Sequence, residues 1–108
     1  MKKILTVTTI LTILSFDVFA AVAQYKIVIK DHKFTPKNLE VPVNQKIKLI
    51  VENQDKTAEE FESHDLNREK IVGGNKEVTI FIGPLKAGIY KYVGEFNEAT
   101  AKGTITAK

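Results

Sequence analysis

A short segment of this chain concentrates side chains that could coordinate a metal ion. Five potential ligands occur within seven residues: Glu59, Glu60, Glu62, His64 and Asp65. Carboxylate and imidazole groups without a thiolate suit Fe, Cu(II), Mn or Zn rather than Cu(I). On a strand, Glu60, Glu62 and His64 would share one face, because side chains alternate with a period of two. The segment predicts either a metal site or an ordinary solvated strand face.

The same segment gives little support for catalysis. Ser63 and His64 are adjacent, so on a strand they point to opposite faces and cannot form a nucleophile–base pair. The Gly73-Gly74-Asn75 sequence is typical of a hairpin turn rather than of a phosphate-binding loop. We therefore expect that this chain is not an enzyme.

The N-terminal segment has the organisation of a secretory signal peptide. Lys2 and Lys3 form a basic start, residues 4–16 are largely apolar, and Ala21-Val22-Ala23 is a small-residue cleavage site. We predict a signal peptide at residues 1–23 and a mature domain at residues 24–108, with cleavage after Ala20 as the alternative. The apolar stretch is shorter than the roughly 20 residues that span a membrane. The predicted location is the periplasm, with no transmembrane span in the mature chain.

The composition of the mature chain limits its partners. Removal of 23 of the 108 residues leaves 85, and the loss of Lys2, Lys3 and Asp17 lowers the formal charge from +3 to +2. Such a nearly neutral chain lacks the clustered basic residues that nucleic-acid binding needs. The sequence contains no cysteine, which excludes disulfides and thiolate metal ligands.

Short alternating apolar runs, separated by turn residues, follow one another along the mature chain. The clearest runs are Tyr25-Ile27-Ile29, Ile47-Leu49-Val51 and Val78-Ile80-Ile82. The segment 31–36 is expected to be a turn, and Pro42 ends a short strand. Seven or eight such strands at spacings of about 8–12 residues predict an all-β fold, an antiparallel Greek-key β-sandwich.

Several motifs give the chain a family resemblance. They are Phe34-Thr35-Pro36, Glu59-Glu60-Phe61-Glu62-Ser63, Gly94-Glu95-Phe96 and the closing segment from Gly88 to Thr106. From Tyr25 to Ala107 the chain resembles the cupredoxin-like family, and especially a bacterial subgroup associated with periplasmic iron or copper uptake. The resemblance implies a cupredoxin-like sandwich and a membrane iron or copper uptake component as a partner.

The resemblance also shows where a copper site would lie. Blue-copper members of the family use two His, one Cys and usually a weak axial Met. Alternation places position 94 on the same inward side as Tyr90 and Tyr92, where the family has its thiolate. The corresponding positions in this chain are Glu59, Gly94, Asn97 and Ala101. Because all four differ from the family's ligands, we expect no type 1 copper and no intense blue colour in copper-loaded protein.

In this fold, the closing loop with Glu95 would lie beside the strand of residues 59–63. The predicted metal ligands are therefore Glu59, Glu60, Glu62, His64 and Glu95. Alternatively, Glu95 forms a surface ion pair with Lys91, Lys102 or Arg68, which would contribute little energy.

Two functions remain open at this point. The first is an exported protein that binds iron or copper through carboxylate and histidine ligands and assists metal uptake or electron transfer. The alternative is a metal-free interaction module that keeps the fold and docks onto a membrane transport partner.

Overall fold

The structure is a computed structural model that describes residues 3, 8–10 and 22–108. Nine strands and one 3₁₀ turn (η1) lie in this part of the chain. Their bounds are β1 Ala23–Lys30, β2 Lys33–Thr35, β3 Asn38–Val41, β4 Ile47–Asn53, β5 Glu59–Ser63, β6 Arg68–Val72, β7 Glu77–Ile82, β8 Gly88–Gly94, η1 Glu95–Asn97 and β9 Lys102–Ala107. The predicted signal peptide, residues 1–23, falls mostly outside the described residues and stays a prediction.

The strands form two sheets that enclose one core. The first sheet has the order β2-β1-β4-β7, and the second has the order β3-β9-β8-β5-β6. The burial pattern of strand β4 shows how a strand contributes to this core. Its residues alternate between buried and partly exposed along the whole strand, as expected for a strand with one face against a core. The described residues contain no helix that is long and apolar enough to cross a membrane.

An aromatic cluster in the core joins the strands that carry the candidate site. The rings of Phe34 and Tyr92 are 4.8 Å apart, and those of Phe61 and Tyr92 are 4.9 Å apart. Such distances are within the favourable range for aromatic pairs. Because Phe61 belongs to β5 and Tyr92 to β8, the cluster fixes these neighbouring strands relative to each other.

The predicted all-β sandwich is confirmed, with two differences in detail. The described residues form nine strands rather than seven or eight, because the expected turn at residues 31–36 contains the short strand β2. In addition, β1 pairs with β4 and β3 pairs with β9 in parallel, whereas the other pairings are antiparallel. Alternation predicts which face of a strand is buried but not the direction of its partner.

Candidate metal centre

The two faces of β5 carry acidic side chains in different environments. Glu59, Phe61 and Ser63 are buried on the inward side of the strand, at 1%, 0% and 2% exposure. Glu60 and Glu62 point to the outer side of the five-stranded sheet, as the period of two requires. Consecutive glutamates therefore belong to two separate sites, one inside the sandwich and one on its outer face.

The inner site is built around the Glu59 carboxylate, which accepts three hydrogen bonds. The backbone N–H groups of Glu60 and Phe96 donate to Oε1 at 2.9 and 2.8 Å. The Nδ2 group of Asn97 donates to Oε2 at 2.7 Å. Buried polar groups are stable only when they have such partners. The hydrogen bonds of the Glu59 carboxylate therefore connect η1 to β5.

Gly94 has no side chain, and the Glu59 carboxylate occupies the space where one would lie. A Cβ atom at position 94 would lie 2.7 Å from both the Glu59 Cδ atom and the Ala101 Cβ atom. Real Cβ atoms do not approach other atoms so closely, so a side chain at position 94 and the Glu59 carboxylate compete for the same space. Residues 59, 94, 97 and 101 therefore converge at one end of the sandwich, as predicted, and Glu59 fills the centre.

The outer site is a cluster of three carboxylates from β5, β6 and η1. One oxygen atom from each of Glu60, Glu69 and Glu95 lies within 4.8 Å of the other two. The register pairs Glu62 with Glu69, which places Glu69 on the outer face beside both β5 glutamates. Such a group of oxygen atoms is suited to surround a cation.

Glu60 is the buried member of this cluster. Its exposure is only 7%, although glutamate is almost never buried without a partner. Among residues 22–108, no N–H or O–H group donates to its carboxylate, and no lysine, arginine or histidine forms an ion pair with it. The Glu60 carboxylate faces the two other acids without a compensating positive charge.

This crowding of acids shifts the proton affinities of the β5 glutamates. The pKa of Glu60 rises from 4.5 to about 7, first because its protonated carboxyl group donates a hydrogen bond to Glu69, and then because of burial and the charges of Glu69 and Glu95. The pKa of Glu62 is also raised, mainly by a hydrogen bond with Glu95 and by burial, while His64 opposes the shift. Like charges at close range have this effect on carboxylates.

The structure brings together only some of the predicted ligands. Glu60 and Glu95 belong to the outer cluster, and Glu62 lies at its border, with its Oε1 atom 3.2 Å from Nε2 of the exposed His64. Glu59 points to the opposite side of the strand. Asp65 accepts a hydrogen bond from the Lys91 backbone N–H at 2.8 Å.

Glu69 is the member of the cluster that sequence reasoning missed. It lies between Arg68 and Lys70, and its position opposite Glu62 depends on the β5–β6 pairing. The alternative ion pairs of Glu95 with Lys91, Lys102 or Arg68 are not formed within the described part of the chain. Arg68 instead donates to the backbone carbonyl of Phe81 at 2.9 Å.

The chain belongs to the cupredoxin-like domain family, whose profile matches residues 3–107. An uncharacterized protein of Rickettsia prowazekii (strain Madrid E) is 52% identical over 84 residues, which cover 78% of this chain and 67% of that protein.

Solved structures share the fold at low sequence identity. Auracyanin A, a blue copper protein from Chloroflexus aurantiacus, superposes with a TM-score of 0.70 at 13% identity, over 82% of this chain and 100% of that chain. A purple cupredoxin from Nitrosopumilus maritimus gives a TM-score of 0.59 at 22% identity, over 80% and 99% of the two chains. The metal-binding domain of the Cu(I)-exporting ATPase CopA from Streptococcus pneumoniae D39 gives 0.67 at 13% identity, over 79% and 84%.

The residues of this chain do not fit a type 1 copper centre. The sequence contains no cysteine, so the thiolate that defines such a centre is missing. The inner position is also filled by the hydrogen-bonded Glu59 carboxylate and closed by Gly94 and Ala101. The inner position therefore cannot hold a type 1 copper ion.

Proposed function

We propose that this chain is an exported protein that binds a transition-metal ion at the outer cluster of Glu60, Glu69 and Glu95. The metal ion is its cargo rather than a resident redox centre. Glu62 and His64 border the cluster and are placed to assist. The protein works in the periplasm and catalyses no reaction.

The observation that carries this proposal is the convergence of three carboxylates, one of them on the largely buried Glu60, without an ion-pairing lysine, arginine or histidine at Glu60 among residues 22–108. A buried acid next to two other acids destabilises the fold when it is ionised. A cation bound among the three carboxylates would remove that repulsion and be coordinated by their oxygen atoms. An ordinary solvated strand face would not need to bury one of its acids to 7% exposure.

The donor atoms indicate which metal the cluster would accept. Carboxylate oxygens, with an imidazole nearby, suit iron and Cu(II) better than Cu(I), which prefers thiolate or thioether ligands. The structural neighbours described as copper proteins support a metal-handling role for the fold. We propose iron or Cu(II) as the cargo, and the membrane uptake component that the family resemblance implies as the recipient.

Calorimetric titration of the exported protein with Cu(II), Zn(II) and anaerobic Fe(II) tests this function. We expect saturable binding of one ion per chain. The Glu60→Gln and Glu69→Gln variants should bind at least about tenfold more weakly, since even supporting groups of a metal site contribute factors of 10–100. The Glu40→Gln variant is the matched control, because Glu40 lies on β3, at the opposite edge of the same sheet.

Two results would remove the proposal. One is the absence of saturable binding for all three ions. The other is an equal loss of affinity in Glu40→Gln and Glu60→Gln, which would indicate general attraction of cations by a negative surface.

The inner site favours one second function, a metal-free docking module. The Glu59 carboxylate fills the inner position beside Gly94 and accepts hydrogen bonds from the Phe96 N–H and the Asn97 side chain. Under this function, the titrations would show no binding, and a membrane transport partner would still be captured from cell extracts after metal removal.

A further inference from the structure

On the outer face of the five-stranded sheet, the acidic and the basic side chains lie on different strands. The acids Glu60, Glu62 and Glu69 lie on β5 and β6, at one side of the face. Lys91 on β8 and Lys102 on β9 lie on the other side, together with Lys37 just before β3. The register places Val93 between the two groups, opposite Glu62 and opposite Lys102.

The three lysines line one groove on this face. The groove has a volume of about 260 Å³, and Asn38, Val93 and Thr104 contribute to its walls. Its size is below the roughly 300–1,000 Å³ of sites that hold drug-sized molecules. It can therefore accommodate only a small ligand.

Strand pairing holds the lysines around this groove. Lys91 is opposite Thr104, and Lys102 is two residues before Thr104 on the same strand. Such diagonal neighbours are about 7–8 Å apart on one face of a sheet. The backbone of Lys37 is fixed to the same strand, because its carbonyl accepts a hydrogen bond from the Thr104 N–H at 2.9 Å. Three lysine side chains thus line one space from three backbone segments.

The lysines have no acidic partners of their own. Within the described ranges 3, 8–10 and 22–108, none of the three ammonium groups forms an ion pair. The Asn38 Oδ1 atom already accepts a hydrogen bond from the Thr104 hydroxyl at 2.8 Å, so these polar groups satisfy each other rather than the lysines. A cleft with charges of one sign and apolar walls concentrates its electrostatic potential on the ligand.

We propose that this groove binds a small anion with two or more carboxylate or phosphate groups. The lysines supply compact charges that contact separate oxygen atoms of the ligand, and Val93 supplies an apolar wall. The proposal does not require a metal ion at the acidic cluster. An adjoining depression of about 200 Å³, bounded by Glu62 and His64, shares Lys91 and Val93 with the groove. If the cluster does bind metal, the groove is placed to hold the carboxylates of an arriving metal chelate.

Titration of the full exported chain with citrate and with pyrophosphate tests the proposal. Metal is removed beforehand with a chelating resin, because a soluble chelator is itself a polyanion. We expect saturable binding, with amide chemical-shift changes at Lys102 and Gly103, that weakens as salt screens the charges. A preference for citrate or for pyrophosphate distinguishes a carboxylate ligand from a phosphate ligand.

The Lys91→Gln/Lys102→Gln variant should lower the affinity about tenfold, given the modest contribution of each exposed charge. The Lys30→Gln/Lys48→Gln variant removes the same charge from the other sheet and should bind normally. The Glu60→Gln/Glu69→Gln variant should also retain binding, which separates this proposal from the metal-binding function.

Three outcomes would overturn the proposal. They are the absence of saturation below about 10 mM of either anion, equal weakening by the two lysine variants, and binding of a glutamate-rich peptide without binding of citrate or pyrophosphate. The last would identify the groove as a contact for an acidic protein.

Discussion

At the scale of single residues, the position of each glutamate on β5 determines what it can do. Glu59 points inward and its carboxylate accepts hydrogen bonds from N–H donors, whereas Glu60 points outward and meets two further carboxylates. The same residue type is therefore structural at one position and a candidate ligand at the next. The difference arises from the alternation of a strand.

The raised pKa of Glu60 predicts how the stability of the metal-free protein depends on pH. Because its pKa is about 7 in the folded chain against 4.5 as the ordinary value, the folded state binds the proton more tightly than the unfolded state. The contribution of protonated Glu60 to the free energy of unfolding is fully present below pH 4.5 and is lost as the pH rises through about 7. Glu62, whose pKa is also raised, acts in the same direction.

As the pH rises from 4.5 to about 7, we expect the Glu60→Gln variant to lose less thermal stability than the parent protein. Thermal denaturation of metal-free protein across that range measures the effect, and Glu40→Gln should follow the parent curve. Parallel curves for Glu60→Gln and the parent would show that Glu60 is not the repelled acid.

The members of the outer carboxylate cluster were partly predictable from the sequence. Glu60 and Glu95 follow from residue type and from the position of their segments. Glu69 was not predicted, because its position opposite Glu62 depends on the β5–β6 hairpin, and no turn was predicted at residues 64–67. In a hairpin, the type and length of the turn set the register between the two strands.

At the scale of secondary-structure elements, the tie between β5 and η1 organises the site. The Glu59 carboxylate holds both the Phe96 N–H and the Asn97 side chain, so it positions the turn that carries Glu95. The inner hydrogen bonds therefore support the outer cluster, although the two lie on opposite sides of β5.

Replacement of Asn97 by Ala should weaken this tie. It removes the 2.7 Å hydrogen bond to Glu59 Oε2 and leaves a buried carboxylate oxygen without a donor. We expect the free energy of unfolding in urea to fall by about 1–3 kcal/mol, the usual range for such a loss. The Asn38→Ala variant, which loses an exposed hydrogen bond to Thr104, should change it by less than about 0.5 kcal/mol. Equal effects of the two substitutions would contradict a structural role for the Glu59 network.

The strands themselves were predicted to different degrees. Strand β4 follows directly from the alternation of Ile47, Leu49 and Val51. Strand β2 was expected to be a turn, because three residues are too few for a visible period and β2 forms only by pairing with β1. The parallel pairs were likewise not predictable, because alternation is the same for both directions of pairing.

At the scale of the whole molecule, the sandwich keeps the fold of its family, and the sequence lacks the cysteine that a type 1 copper centre requires. The structural neighbours share this fold at 13–22% identity, and in this chain the inner position is filled by Glu59. The outer face instead carries separated acids and lysines. We propose that a bound metal ion lies on that outer face.

Anomalous X-ray scattering from crystals grown with Cu(II) or Zn(II) tests this claim most directly. We predict an anomalous peak within coordination distance of the Glu60, Glu69 and Glu95 carboxylates, and its loss in Glu60→Gln crystals. A peak beside Glu59, Gly94 and Asn97, inside the sandwich, would contradict the account.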